Sequence, residues 1–232
     1  MSEFFNLEKL LTFFNYIFWF FMLNIFFSIL NIPVILFFLF VGLSNITTYL
    51  PLFLVSLIPF GASFTALLYC MRKLVKYKDL DLFSDFLKGL KYNWKQSTLM
   101  WCGELFLIFL LSFNLRIFST VYYSLPLTCV FIVLMVLTLL TTTYIFVLIS
   151  RFSMSSMDIL RASVILTFTK PVVSIGNIVI FLFSLMLFEI SPGTTVIFMA
   201  SIVSYLIMFL NKNLLESLET KSSQTLKDVI SK

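Results

Sequence analysis

The chain contains no histidine. That removes imidazole from acid–base catalysis, from metal ligation and from pH switching near neutrality. Its three cysteines, Cys70, Cys102 and Cys129, stand far apart in or beside apolar segments, with no CxxC or zinc spacing. We read them as reduced packing residues. Glycine is scarce too, at six residues, while phenylalanine reaches thirty. Small residues are what usually let membrane helices approach closely, so packing is expected to rest on large side chains. Charge is equally thin. Charged residues make up 12% of the chain, against about 25% in a soluble domain, which is too little to cover a water-facing surface. No phosphate-binding GxxxxGK[ST], HExxH, GxSxG or paired-carboxylate arrangement appears. An enzyme is therefore not expected, and no cofactor or metal is implied. The start of the chain carries Glu3 and Glu8, without a basic n-region or a small-residue cleavage site, and does not read as a signal peptide.

What the chain does have is apolar length. Its mean hydropathy is +1.05, and apolar runs long enough to cross a bilayer recur along it. The expected class is all-α, a single polytopic membrane domain over residues 1–232 with about six spans, five to seven being compatible with the pattern. Residues 1–14 are expected to form a short interfacial helix. Spans follow at about 15–41, 49–71, 97–115, 121–149, 172–190 and 194–210. Asn31 and Pro33 interrupt the first, and Pro59 is placed to break the second into a half-helix. The tripeptide at 191–193, SPG, reads as a tight turn and 211–232 as a polar helical tail that frays.

The basic residues give this layout a direction. Six crossings place residues 1–14, 72–96, 150–171 and 211–232 on one side, and these segments hold fifteen of the sixteen lysines and arginines; only Arg116 falls in an outer loop. The positive-inside rule then puts both termini and both long connectors in the cytoplasm of a bacterial cell. The +5 formal charge reflects this orientation, and nucleic acid is not an expected partner.

The stretch RKLVKYKDLDLFSDFLKGLKYNWKQ, residues 72–96, is the most charged part of the chain. Leu82, Phe86, Leu90 and Trp94 recur every fourth residue, with Asp81, Ser84, Asp85, Lys88, Lys91 and Lys95 assigned to the opposite face. This predicts a cytoplasmic amphipathic helix, capped by Asp79 or Asp81, lying against the membrane surface or a partner. A second helix is expected in 150–171, its apolar positions 157, 160, 164 and 168 sharing a face. Asp85-Phe-Leu-Lys-Gly89 resembles Asp158-Ile-Leu-Arg-Ala162, which suggests a unit of span, surface helix and span used twice. The surface so formed, with Lys88 and Arg161 on it, is read either as resting on anionic lipid or as a docking platform for a protein.

Glu104 is the one ionisable residue well inside an expected span. Such a residue is by default a functional candidate, for proton relay, for substrate contact or for an ion pair with Arg151 or Arg161; the plainer reading has it reaching the interface or protonated. Arg116 and Glu189 can pair across the outer face, with little energetic consequence. Asn15, Asn24 and Asn31 recur along the first span, where amide side chains bond between helices.

The segment PFGASFTALLYCMRKLVKYKDLDLFSDFLKGLKYNWKQ, residues 59–96, resembles the YesL-like family of bacterial membrane proteins, whose function is unknown. Pro59-Phe-Gly, Ser63 to Leu67 entering a span, Arg72-Lys73 at its end, the Phe-rich amphipathic stretch and Asn93-Trp-Lys-Gln96 carry the likeness, and Arg151-Phe-Ser-Met is similar in the second half. The resemblance covers about 59–190, and the hydrophobic insert at 33–58 departs from the family's shorter link. It implies a role in carbohydrate uptake, as an accessory subunit beside the permease or ATPase of a sugar ABC transporter. It supplies no active-site residues. An autonomous small-molecule transporter or channel is the alternative.

Overall fold

The computed structural model describes residues 7–190 and 192–230. Among them the regular structure is helical, without a strand. The chain opens with α1 (Leu7–Leu30) and, past Asn31, the short α2 (Ile32–Phe40). A loop containing Gly42, whose φ of 79° suits glycine, leads to α3 (Leu50–Ser56) and α4 (Ile58–Tyr77). Then come α5 (Leu82–Arg116), α6 (Leu125–Ile149), α7 (Ser156–Thr169), α8 (Pro171–Ile190) and α9 (Pro192–Ile230).

Proline explains most of these boundaries. All six prolines of the chain lie in the first two positions of a helix: Pro33, Pro51, Pro59 and Pro126 at the heads of α2, α3, α4 and α6, and Pro171 and Pro192 as the first residues of α8 and α9. There the missing N–H costs nothing, because the first turn has no intrahelical acceptor for it. The expected interruptions at Asn31–Pro33 and before Pro59 are thus both present.

Among the described residues, Lys9–Leu30, Leu50–Tyr77, Leu82–Thr120, Leu125–Ile149 and Phe198–Thr220 are long and apolar enough to cross a membrane. A sixth candidate is the α7–α8 pair, bent by 97°. This agrees with the expected multi-pass helical class.

Helix α4 is the centre of the bundle. Ala66, Leu67, Leu68, Cys70 and Met71 are completely buried, so the helix is covered nearly all the way round, the behaviour of a core helix. It packs against α5, α9, α1 and α6. The scarce glycines serve this packing. A Cβ on Gly61 would lie 2.6 Å from the Cβ of Trp101, and one on Gly89 would lie 3.0 Å from the Cβ of Tyr69 and 3.1 Å from the Cα of Ala66. Large side chains fill what remains: Phe60, Phe64, Trp101 and Phe146 form one aromatic cluster with centroid separations of 5.1 to 6.3 Å. Close approach through small residues therefore governs the central helix pair, against the expectation that large residues alone would.

Three expected boundaries do not hold. The surface helix of 72–96 and the span of 97–115 are one continuous helix, α5, whose 35 residues reach about 52 Å at 1.5 Å per residue. No proline interrupts it. Residues 211–230 likewise continue α9 rather than forming a separate tail, with Leu214 and Leu215 buried. Residues 7–14 are the first turns of α1, not a separate interfacial helix. Residues 1–6, Ser191 of the expected turn and residues 231–232 lie outside the described residues.

Candidate functional site

Two polar regions converge on α4 and α5. The first is a seam inside the bundle, built where α4 begins. The break at Leu57 leaves a carbonyl at a helix boundary, and the indole Nε1 of Trp101 donates to it at 2.7 Å. One turn on, the Gly61 carbonyl accepts from Thr65 Oγ1 at 2.8 Å and from Ser97 Oγ at 2.6 Å. Asn31, at the break between α1 and α2, donates to Ser63 Oγ at 2.7 Å and to the Phe27 carbonyl at 2.8 Å. The two helix breaks are therefore tied together, and α5 supplies the donors that satisfy the second. Each such bond, shielded from water, holds its helices in register.

Glu104 extends the seam. It is buried, and its Oε2 accepts from Thr142 Oγ1 of α6 at 3.0 Å. Thr142 also approaches the Thr138 carbonyl at 2.7 Å, so one hydroxyl proton serves two acceptors. The ion pair considered between Glu104 and Arg151 or Arg161 is not formed. Arg151 instead pairs with Glu219 of α9, and Arg161 is exposed on α7. Arg116 and Glu189 form no ion pair either; they lie on helices that share no packed face.

The second region is the basic end of the bundle, where α4 stops and α5 starts. Lys78 closes α4 in the left-handed conformation, φ 57°, with its N–H on the Leu74 carbonyl. Only Lys78 to Asp81 separate the two helices. Asp85 is buried here. Its Oδ2 accepts from Lys73 Nζ at 2.6 Å and from the backbone N–H of Asp81 at 2.9 Å. The side chains of Asp79 and Asp81 do not cap α5; Asp79 accepts from the N–H of Leu80, and the carboxylate that reaches back over the first turn is that of Asp85. Glu219 accepts from both Arg151 and Lys76, the latter at 3.4 Å.

The face of α5 differs from the expected one. Leu82, Phe86 and Leu90 pack into the core beside α4 and α1, with Phe26 5.5 Å from Phe86 between ring centroids. Asp85, Gly89, Asn93 and Ser97 are buried with them. Trp94 is exposed, together with Phe83 and Leu87. The cause is helical geometry: a four-residue repeat advances about 40° per step, so Trp94 lies about 120° around the helix from Leu82. Lys88 remains exposed as expected. Asn93 donates to the Ile149 carbonyl at 2.8 Å, capping the end of α6, and Gln96 donates to the Met154 carbonyl at 2.8 Å and reaches Ser156 Oγ at 3.3 Å.

Helix α7 matches its expected face. Met157, Leu160, Val164 and Phe168 point outward, while Ile159, Ser163, Leu166 and Thr167 are buried. Its start is capped by Ser155, whose Oγ accepts from the N–H of Asp158 and donates to its carboxylate at 2.6 Å. At its end, Lys170 leaves the helical region before Pro171. The corner is held by Tyr144 of α6, 2.9 Å from Ser174 Oγ, which in turn approaches the Thr167 and Lys170 carbonyls at 3.1 Å.

Thr142, Glu219, Arg72 and the Trp101–Leu57 contact were not singled out by sequence reasoning. Small polar residues at four-residue spacing inside apolar helices, Gly61 and Thr65 or Gly89, Asn93 and Ser97, are the signal that was available. The pairing of Glu219 with residues 68 and 143 positions earlier left none.

Residues 11–115 match the profile of a family described as "Protein of unknown function, DUF624". The match runs from α1 through nearly all of α5, so it takes in the seam, the α4–α5 turn and the 33–58 stretch, and it stops short of Arg151 and α7. No curated protein and no solved structure gives a significant match.

Proposed function

We propose that the chain is a YesL-like accessory protein of carbohydrate uptake in the bacterial cell membrane, without catalytic activity of its own. In this reading both termini are cytoplasmic, because the basic end follows the positive-inside rule, and that end contacts the permease or ATPase of a sugar ABC transporter. The observation that carries the docking role is the outward apolar row on α5: Phe83, Leu87 and Trp94 are 67%, 44% and 51% exposed, although the helix has a well-packed opposite face. The α7 row of Met157, Leu160, Val164 and Phe168 gives a second such strip at the same end. Contiguous apolar strips rimmed by lysine are the usual form of a docking surface. The seam supports the same reading, since the Leu57 and Gly61 carbonyls are satisfied by side chains of the bundle itself, as in a structural core.

The test is co-purification with an epitope-tagged sugar ABC permease from the same cell in mild detergent. Recovery of the chain with the permease, lost on Trp94→Asp, is expected; repeated absence of the chain from the permease fraction overturns the proposal. The alternative of autonomous transport draws on one observation. Two interrupted helices meet at Asn31 and Ser63, as in transporters built on broken helices, and Asn31 Oδ1 is buried without a partner. Substrate flux in proteoliposomes holding this chain alone would select it.

A further inference from the structure

Between α4 and α9 at the basic end lies a cleft of about 320 Å³, partly open to the surface, lined by Arg72, Val75, Lys76, Met208, Lys212, Leu215, Glu216 and Glu219. Its charges do not close on themselves. The Nε of Arg72 is buried and has no hydrogen-bond acceptor. The arginine stacks over Tyr69, with its guanidinium carbon 5.7 Å from the ring centroid, and forms none of the ion pairs among the described residues. Glu219 is the carboxylate nearest to hand, yet it is already shared by Arg151 and Lys76. Lys212 and Glu216 are exposed and unpaired. Counting Arg151, four cations meet two carboxylates. A buried guanidinium donor without an acceptor is costly, and a vacant place for an oxyanion between three cations is what would remove that cost.

We propose that this cleft binds a phosphate oxyanion, presented by an anionic phospholipid, between Arg72, Lys76 and Lys212. The guanidinium is planar and suited to two phosphate oxygens at once, and the lysines add point charge. The lipid source follows from the walls. Val75, Met208 and Leu215 give the cleft an apolar lining beside its cations, and it lies where α4 passes from the completely buried Met71 to exposed Lys76 and Tyr77. A basic pocket between helices at a membrane boundary is the form that headgroup sites take. The binding would tie α9 to α4 at a place where the ion pairs leave Arg72 out.

The experiment uses the full chain in neutral detergent, with thermal unfolding and native mass spectrometry as readouts. Phosphatidylglycerol is expected to raise Tm by about 5 °C near saturation and to be retained in the gas phase, while phosphatidylcholine does neither. Lys212→Gln should weaken retention and Arg72→Gln abolish it; Lys88→Gln, elsewhere on the basic end, should keep it. If Arg72→Gln does not fold, Lys212→Gln and Lys76→Gln decide. Inorganic phosphate, compared with chloride at equal ionic strength, separates the sources: stabilisation by phosphate but not by phosphatidylglycerol would overturn the lipid and leave a soluble phosphate compound. Equal effects of the two lipids, or full retention by Lys212→Gln and Lys76→Gln, would overturn the site.

Discussion

Asp85-Phe-Leu-Lys-Gly89 and Asp158-Ile-Leu-Arg-Ala162 are alike in sequence and unlike in every structural respect. The first lies in α5, a helix that runs on unbroken for 35 residues. Its aspartate is buried on Lys73 and its glycine touches the backbone of α4. The second lies in α7, a helix of 14 residues that ends at a 97° corner. Its aspartate is exposed and serves the first turn, where it pairs with Ser155. Two differences outside the matching residues explain the divergence. Pro171 follows the second copy and nothing comparable follows the first. A basic residue one hairpin away, Lys73, draws Asp85 inward, and Asp158 has no such neighbour. The unit of span, surface helix and span therefore exists once, in α6–α7–α8, and not twice.

The comparison can be broken most forcefully at the fifth residue of each copy. Gly89→Leu must push α4 and α5 apart, because ordinary Cβ contact is already too close at 3.0 to 3.1 Å; we expect a cost of about 3 kcal/mol or more and loss of folded protein from detergent extracts. Ala162→Leu, on a partly buried face of the shorter helix, should lower Tm far less. The first residue gives the next largest contrast. Asp85→Asn leaves the Lys73 ammonium without its carboxylate in a half-buried place and is expected to cost about 3 kcal/mol, whereas Asp158→Asn should cost about 0.5–1 kcal/mol as a loss at a helix start. Equal Tm losses for the two aspartates would show that the copies do share a role.

A smaller effect sharpens the account of the corner. Tyr144→Phe removes the hydroxyl that meets Ser174 and should cost about 1 kcal/mol, and spin labels on α7 and α8 should report a broadened distance distribution. An unchanged distribution would assign the bend to Pro171 alone. Smallest of all, Lys88→Gln and Arg161→Gln, both exposed, should change Tm by no more than about 0.5 kcal/mol equivalent.

Much of the fold was legible because hydropathy and proline are local signals. The apolar runs locate the crossings, and each proline marks a helix start, including the interruptions at Pro33 and Pro59. The inner face of α5 was not legible from its hydrophobic residues, since Leu82 and Trp94 are joined by a repeat that drifts around the helix. Helix α7 was read correctly over 157, 160, 164 and 168 because steps of three and four alternate and the drift nearly cancels. Of the candidate site, Glu104 and the Asn31 break were visible as polar residues in apolar surroundings. Their partners, Thr142 and Ser63, and the Glu219 pairs were not, because a contact between distant helices depends on how those helices cross.

The central claim is that α5 keeps Leu90 for the bundle and presents Trp94 to a partner. Photo-crosslinking amino acids placed at these two positions in living cells test it directly, with the tagged sugar ABC permease as the target. The account predicts a permease adduct from position 94 and only intrachain products from position 90. A permease adduct from Leu90, or lipid adducts alone from Trp94, would contradict it.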